Sequence, residues 1–325
     1  MSDRLLPPDV DMGLGCMGMS QWYGEADPAE AAATILESLD AGVRYLDTAE
    51  VYGPYTNEEL IGRAVKGRRS DAFIATKFGF PMIRPDGSQI PPDSSPENIR
   101  RAVDSSLRRL DTDYIDLLYQ HRVDGRTPVE EVVGAMAELV QTGKVLHVGL
   151  CEVGVDTIRR AHAVHPLTAV QAEYSVWERN LEDGVLQAAD ELGIAVVAFC
   201  PLGRGYLSGR APRPEDLAGD DFRRMDPRFT DGNFDRNRAF VEHLVSWARR
   251  LECTPAQLAL AWVLARPWDI VPIPGTKRRR YLRENIGSRS LRLPTDQLAL
   301  LDRELDDLRV AGDRYGESMK RYIDR

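Results

Sequence analysis

Four side chains with complementary proton chemistry each stand just beyond a short apolar run. Asp47 and, a little further on, Tyr52 follow Val43-Arg44-Tyr45-Leu46; Lys77 follows Ala72-Phe73-Ile74-Ala75; His121 follows Ile115-Asp116-Leu117-Leu118-Tyr119. A phenol, an ammonium, a carboxylate and an imidazole together make a proton donor with the groups that tune and orient it. They are far apart in sequence. They converge only if the runs are neighbouring strands of a parallel barrel, whose C-terminal strand ends open on one face.

The elements that must position them are readable. Asp27-Pro28-Ala29-Glu30, Ser95-Pro96-Glu97-Asn98, Thr127-Pro128-Val129-Glu130 and Thr254-Pro255-Ala256-Gln257 share one form, an N-cap candidate followed by proline at the first helical position. In three of them a Glu or Gln can close a capping box. Apolar residues then recur at helical spacing: Ala32, Ile35, Leu36 and Leu39; Ile99, Val103, Leu107 and Leu110; Val132, Val133, Met136, Leu139 and Val140. Between helices lie apolar runs without alternation, as strands buried on both faces require. They fall near 12–15, 45–48, 73–77, 115–120, 147–151, 169–173, 195–201 and 270–274. Eight strand–helix alternations predict an α/β fold, a (β/α)8 TIM barrel with long βα-loops and an extra C-terminal helix. The competing fold is an open doubly wound sheet. Gly13-Leu14-Gly15-Cys16-Met17-Gly18 matches GxGxxG by letter, but Met-Ser-Gln-Trp-Tyr-Gly follows it rather than an apolar helix.

Bulk properties narrow the function classes. The 325 residues show no internal repeat and no interdomain linker, which predicts one domain over 1–325. A hydrophobic content of 43% is globular, and no apolar run approaches a membrane span. The net charge of −9 argues against nucleic acid as a partner. The start, Met-Ser-Asp-Arg-Leu-Leu-Pro-Pro-Asp, has no signal-peptide core. Cys16, Cys151, Cys200 and Cys253 lack CxxC spacing and suit reduced thiols, so a cytoplasmic chain is expected. No heptad seam indicates an oligomeric state. His162 and His165 have no third ligand nearby, so no metal is expected.

Two long connections follow strand ends, where binding segments usually lie. Residues 78–95 carry Pro81, Pro85, Gly87, Pro91 and Pro92, and residues 203–236 are rich in Gly, Arg and Asp. One basic run, Lys277-Arg278-Arg279-Arg280, follows the eighth predicted strand, where barrels commonly hold phosphate.

Motifs along residues 10–310 resemble the aldo-keto reductase superfamily. They include Gly13-Leu14-Gly15-Cys16-Met17-Gly18-Met19-Ser20, Asp47-Thr48-Ala49-Glu50-Val51-Tyr52-Gly53, Ala75-Thr76-Lys77-Phe78-Gly79, Asp116-Leu117-Leu118-Tyr119-Gln120-His121 and Val148-Gly149-Leu150-Cys151-Glu152. Gln171-Ala172-Glu173-Tyr174-Ser175, Pro201-Leu202-Gly203-Arg204-Gly205 and Pro274-Gly275-Thr276-Lys277-Arg278 continue the series. The wording is most similar to the pyridoxal-reductase and perakine-reductase branch. The resemblance implies an NADPH-dependent reductase of aldehydes or ketones, with Tyr52 as general acid. Lys77 would lower the phenol's pKa, Asp47 would hold Lys77, and His121 would orient the carbonyl.

For the cofactor the resemblance implies a site of Gly18, Met19, Cys151, Glu152, Gln171, Tyr174, Pro201, Leu202, Gly203, Arg204 and Gly205. Gly275, Thr276, Lys277, Arg278, Arg280, Glu284 and Asn285 complete it. Tyr174 is expected to stack on the nicotinamide, Gln171 to take its carboxamide, and the basic run to select the 2′-phosphate. The family often has Ser-Asn or Ser-Glu where this chain has Cys151-Glu152, and a thiol is the weaker donor. Trp22, Tyr23 and Phe78 are expected to line the substrate pocket, with Trp177 a further candidate; an aromatic pocket suits a carbonyl with an apolar body. Two rivals stand beside this reading. One is an NADPH-binding regulatory or redox-sensing subunit with little turnover. The other is an aldolase-type barrel using Lys77 as a Schiff-base amine.

Overall fold

The computed structural model describes residues 5–83 and 88–324. Pro85 and Gly87 of the first long connection lie outside the described residues. Eight strands form one parallel sheet in chain order: β1 (Gly13–Gly15), β2 (Tyr45–Asp47), β3 (Phe73–Phe78), β4 (Ile115–Gln120), β5 (Val145–Cys151), β6 (Ala169–Glu173), β7 (Ala195–Phe199) and β8 (Ile270–Pro272). A parallel bridge between Gly15 and Gly275, with Gly15 N–H donating to the Pro274 carbonyl at 3.3 Å, closes the sheet into a barrel. The seam is tight, because a Cβ on Gly15 would lie 2.9 Å from the Ile273 carbonyl oxygen. A short antiparallel ribbon, Met82–Ile83 with Gln89–Ile90, stands apart from the barrel.

Strand parity sorts the apolar residues into two cores. Tyr45, Phe73, Ala75, Leu117, Tyr119, Cys151, Ala169, Ala195, Val197, Val271 and Ile273 fill the lumen. The alternate positions, including Leu46, Ile74, Phe78, Leu118, Val148, Val170 and Val196, pack outward against the helices. The middle of the lumen is plugged by Tyr45 and Tyr119, whose hydroxyls lie 3.0 Å apart.

Local signals set most helix starts. Asp27 accepts from Ala29 N–H, Ser95 from Asn98 N–H, and Thr254 with Gln257 forms the complete capping box. The third expected start is displaced by one residue. Pro128 is itself the N-cap of Val129–Gln141, because the Thr127 hydroxyl donates to Asp124 instead. Glu30 does not close a box either; it binds the Arg279 backbone and guanidinium. The helix Thr295–Asp306 follows the barrel helices, and the last described residues end in a short helix, Glu317–Lys320. Among the described residues no helix is long and apolar enough to cross a membrane.

Gly149 is where lumen packing leaves least room. A Cβ there would lie 2.5 Å from both the Ala169 carbonyl and the Tyr119 ring. Neither can retreat, since one is sheet backbone and the other is fixed by Tyr45. Gly149→Ala is expected to cost about 1–3 kcal/mol of stability, the usual penalty of overpacking. A urea midpoint unchanged from that of the parent chain would refute this account of the lumen.

Candidate active site

The C-terminal mouth of the barrel brings the four chemical residues together. Asp47 ends β2 and Lys77 lies on β3, both with lumen parity; His121 follows β4 directly. Tyr52 sits in the turn between β2 and the helix Thr56–Ala64. That turn is pinned from several sides. Gly53 takes φ +83°, and its N–H donates to Gln21 Oε1 at 2.8 Å. Asn57 accepts from the Thr48 hydroxyl at 2.7 Å and donates to the Cys16 carbonyl and the Ser20 hydroxyl. Glu58 binds both the Thr76 hydroxyl and Arg109 at 2.6 Å, fastening the helix to β3.

Lys77 Nζ is the hub. It donates to Asp47 Oδ1 at 2.5 Å, to the Thr48 carbonyl at 2.8 Å and to the Tyr52 hydroxyl at 3.3 Å. The other Asp47 oxygen accepts from Gln171 Nε2 at 2.7 Å. Lys77 is 1% exposed. Burial opposes its charge, but Asp47 and the phenol outweigh burial and raise its pKa, so it is an ammonium. Burial pushes Asp47 upward too, against Lys77 and Gln171; with donors on both oxygens we read the pair as ionised.

Tyr52 departs from the sequence expectation in its net direction. Burial pushes the phenol up to about 12, and Lys77 offsets only part of that. His121 is held well below the usual histidine range by burial, then by Arg122 and Lys77, and is therefore neutral. Its ring meets Tyr52 edge-on with centroids 5.9 Å apart, and Phe80 lies 4.5 Å away. His121 Nδ1 is buried without a hydrogen-bond partner.

Of the residues expected around the cofactor, some face the mouth and some do not. Gln171 and Cys151 do; burial pushes the Cys151 thiol up to about 12, with Lys77 opposing. Glu152, at φ +56°, is held by Arg314 through two contacts and accepts from Glu173 N–H at 3.0 Å. Tyr174 does not face the mouth. One residue past Glu173, it has outward parity; its ring lies 5.5 Å from Trp262 and its hydroxyl donates to Glu182 at 2.7 Å. The aromatic ring at the lumen mouth is Phe199, the last residue of β7, which packs on the lumen core. Phe78 likewise points outward into the helix layer, and Phe80 takes its place beside His121. Inward parity from Ala195 and Val197 was the signal for Phe199.

Gly18 and Met19 form a single turn after β1, and Met19 is buried in the outer core. Trp22 and Tyr23 meet the long loop after β7: Trp22 lies 5.7 Å from Phe222, and Arg223 stacks on Tyr23 at 5.2 Å. Trp177 packs on Tyr206 with centroids 5.2 Å apart and is core. In the Pro201–Gly205 segment Gly203, Arg204 and Gly205 all have positive φ, which turns the backbone sharply at the mouth. The Arg204 side chain is committed elsewhere, to Asp226 at 2.8 Å.

After β8, Gly275 is exposed, and a Cβ there would meet only the Gly15 carbonyl at 3.6 Å. Thr276 accepts from Arg278 N–H at 3.1 Å, opening the helix Arg279–Gly287, which has no side-chain cap. Lys277 donates to the carbonyls of Tyr23, Gly24 and Glu25 at 2.8, 2.7 and 2.6 Å, so it clamps the β1 loop rather than standing free. Arg279 is taken by Glu30. Arg278 and Arg280 have no carboxylate partner among the described residues. Glu284 is gripped by Arg210 from the long loop, and Asn285 is buried. Among the described residues no group of three His, Cys, Asp or Glu side chains is placed to hold a metal ion, and His162 Nδ1 accepts from Leu167 N–H.

The sequence model of the Aldo/keto reductase family matches residues 11–306. The aldo-keto reductase yakc of Schizosaccharomyces pombe, whose name specifies NADP(+), is 41% identical over 320 residues, covering 96% of this chain and 94% of that protein. The solved glycerol dehydrogenase of Gluconobacter oxydans superposes with a TM-score of 0.80 at 26% identity, over 97% of this chain and 93% of that one. An aldo/keto reductase of Klebsiella pneumoniae, solved with NADP and acetate, superposes with a TM-score of 0.72 at 26% identity over 94% of both chains. With the barrel, the buried Lys77 hub and the family match in agreement, this chain belongs to the aldo/keto reductase family.

Proposed function

We propose that the chain is an NADPH-dependent oxidoreductase that reduces aldehydes or ketones to alcohols, with Tyr52 as the proton donor. The carrying observation is the Lys77 ammonium, which joins Asp47 and the Tyr52 hydroxyl at 2.5 and 3.3 Å. When bound, the nicotinamide supplies the hydride. The residues present suit such a cofactor. Phe199 offers a ring at the lumen mouth, Gln171 an amide, the positive-φ turn at 203–205 a backbone cradle, and Arg278 with Arg280 uncommitted charge for a 2′-phosphate. The uncapped start of Arg279–Gly287 adds backbone donors where an anion is favoured.

The protein's own part is proton delivery and charge stabilisation. The Tyr52 hydroxyl gives its proton to the carbonyl oxygen as negative charge develops there. Lys77 then stabilises the phenolate, at a site from which burial has removed water as a competitor. His121, neutral, donates a hydrogen bond to the same oxygen. No lysine nucleophile is needed: Lys77 is enclosed by three acceptors and held charged, the opposite of a Schiff-base amine. An intact, correctly spaced donor set also favours turnover over a purely regulatory role.

Tyr52→Phe is expected to lower kcat for aldehyde reduction about 10²–10⁴-fold while NADPH binding, followed by fluorescence, survives. Full activity in that variant would remove Tyr52 from the mechanism.

The pH profile follows from the raised phenol. Reduction needs the protonated form, present throughout the range below its pKa of about 12. Reduction is therefore expected to stay level from about pH 6 to about pH 9, while alcohol oxidation, which needs the phenolate, climbs over that interval. A reduction rate falling with an apparent pKa near neutrality would place the donor on another group.

Arg278→Ala combined with Arg280→Ala is expected to weaken NADPH binding by about tenfold or more and to leave NADH nearly unchanged. Equal affinity of the parent chain for the two cofactors would sink the 2′-phosphate assignment.

A further inference from the structure

Among the described residues four arginines are buried, Arg122, Arg204, Arg228 and Arg314. Three carry a carboxylate: Arg204 lies 2.8 Å from Asp226, Arg228 2.6 Å from Glu173, and Arg314 2.6 Å from Glu152. Arg122 carries none among the described residues. Its Nη1 donates to the His121 carbonyl at 2.6 Å, its Nη2 to the Tyr315 hydroxyl at 3.3 Å, and its Nε has no partner. Its other close neighbours are faces of aromatic rings, Phe80 at 5.4 Å and Tyr315 at 6.0 Å. A guanidinium buried against neutral groups is costly and is normally matched by an anion.

Arg228 and Arg314 also leave Nε without a hydrogen bond, but each is paired to a carboxylate through Nη, and among the described residues Arg122 is not. Nε and Nη2 form the side-on edge of a guanidinium, the edge that takes both oxygens of a carboxylate. On Arg122 one half of that edge is unpartnered and the other holds a phenol by a long contact, which an anion would displace. The guanidinium neighbours the reacting groups, since the Phe80 ring 5.4 Å from Arg122 also lies 4.5 Å from the His121 ring. The charge reaches the same space: Arg122 depresses the His121 imidazole, after burial, and works against burial on the Cys151 thiol. A purely structural tether from His121 to the C-terminal segment explains Nη1 and Nη2, but not a buried guanidinium with no carboxylate of its own, since Glu152, whose charge acts on Arg122, is already bound by Arg314.

We propose that Arg122 anchors a carboxylate on the substrate, so that the preferred substrates are aldehydes or ketones that carry a carboxylate. This rests on the reductase reading above and narrows it. Arg122 is then a specificity determinant rather than a catalytic residue, fixing one end of the substrate while His121 and Tyr52 meet the carbonyl. The Tyr315 hydroxyl holds the side-on edge until the carboxylate arrives.

The test compares 4-formylbenzoate with methyl 4-formylbenzoate, which differ in charge and little in the reacting carbonyl. The parent chain is expected to favour the carboxylate about 10- to 100-fold in kcat/KM, the range of one charge-assisted pair. Arg122→Met is expected to bring that ratio to about one, and Arg122→Lys, which keeps the charge without the edge, to recover only part of it. No preference in the parent chain, or an equal loss on both aldehydes in Arg122→Met, would overturn the assignment. Calorimetry with benzoate and NADP+ separates this proposal from the reductase reading. Benzoate is expected to bind the parent chain, to bind Tyr315→Phe more tightly and to be lost from Arg122→Met. Should neither aldehyde be turned over, the reductase reading fails while these titrations still decide the anchor. Benzoate that fails to bind the parent chain, or binds Arg122→Met equally well, rejects it.

Discussion

A fully buried ammonium in a barrel lumen is unstable unless every one of its protons is met, and the rest of this mouth is arranged around that requirement. Lys77 has three acceptors, from the end of β2 and the segment that follows it: the Asp47 carboxylate, the Thr48 carbonyl and the Tyr52 hydroxyl. Withdrawing any of them leaves buried charge uncompensated, a penalty of several kcal/mol per ion before relaxation. That penalty locks the segment in place and fixes where the phenol stands. Gln171 closes the arrangement from β6 by occupying the second Asp47 oxygen. Asp47, Lys77 and Gln171 therefore hold one another on strands that cannot slide without breaking the sheet, and Tyr52 is tied to them through Lys77.

The same burial that fixes the geometry also decides the electrostatics. A tyrosine beside an ammonium should be more acidic than a free one, yet burial outweighs that attraction at Tyr52. The phenol accordingly stays protonated, and in the proposed reaction the ammonium would stabilise the phenolate that proton transfer leaves. Its contribution would grow as charge develops, which is the property that separates rate enhancement from binding. His121 would serve the same end by remaining neutral: an imidazolium beside the paired Lys77 would add a buried charge with no partner, and burial together with Arg122 prevents it.

How much of this was legible depended on the range of the signal. The eight apolar runs and the residues at their ends are local, so the barrel and the convergence of Asp47, Lys77 and His121 could be read directly. Parity is also local, and ignoring it misplaced Tyr174 and Phe78: each stands an odd number of residues from a lumen-facing neighbour, Glu173 and Lys77, and so points outward. Phe199 at the lumen end and Phe80 beside His121 are the rings that stand there instead. Other departures come from tertiary competition for a local signal. Glu30 could cap its own helix, but two bonds to Arg279 win it. Lys277 reads as phosphate charge, yet three carbonyls of the β1 loop surround it. Nothing in the sequence connects Arg122 with Tyr315, 193 residues away.

The cover over the mouth is ionic where the barrel below it is apolar, and that contrast bears on ligand exchange. Glu152 and Glu173 at the strand ends hold Arg314 of the C-terminal segment and Arg228 of the long loop, and Asp226 of that loop holds Arg204. Buried pairs of this kind add little net stability over apolar packing of the same volume. They differ from apolar packing in what happens on opening, because water rehydrates each separated charge while an exposed apolar face gains nothing from it. A cover built this way can part from a rigid barrel at modest cost, as segments that admit a large cofactor must. The lumen core of Tyr45, Tyr119, Val197 and Val271 takes no part in these ion pairs, so the Lys77 hub rests on the barrel and not on the cover.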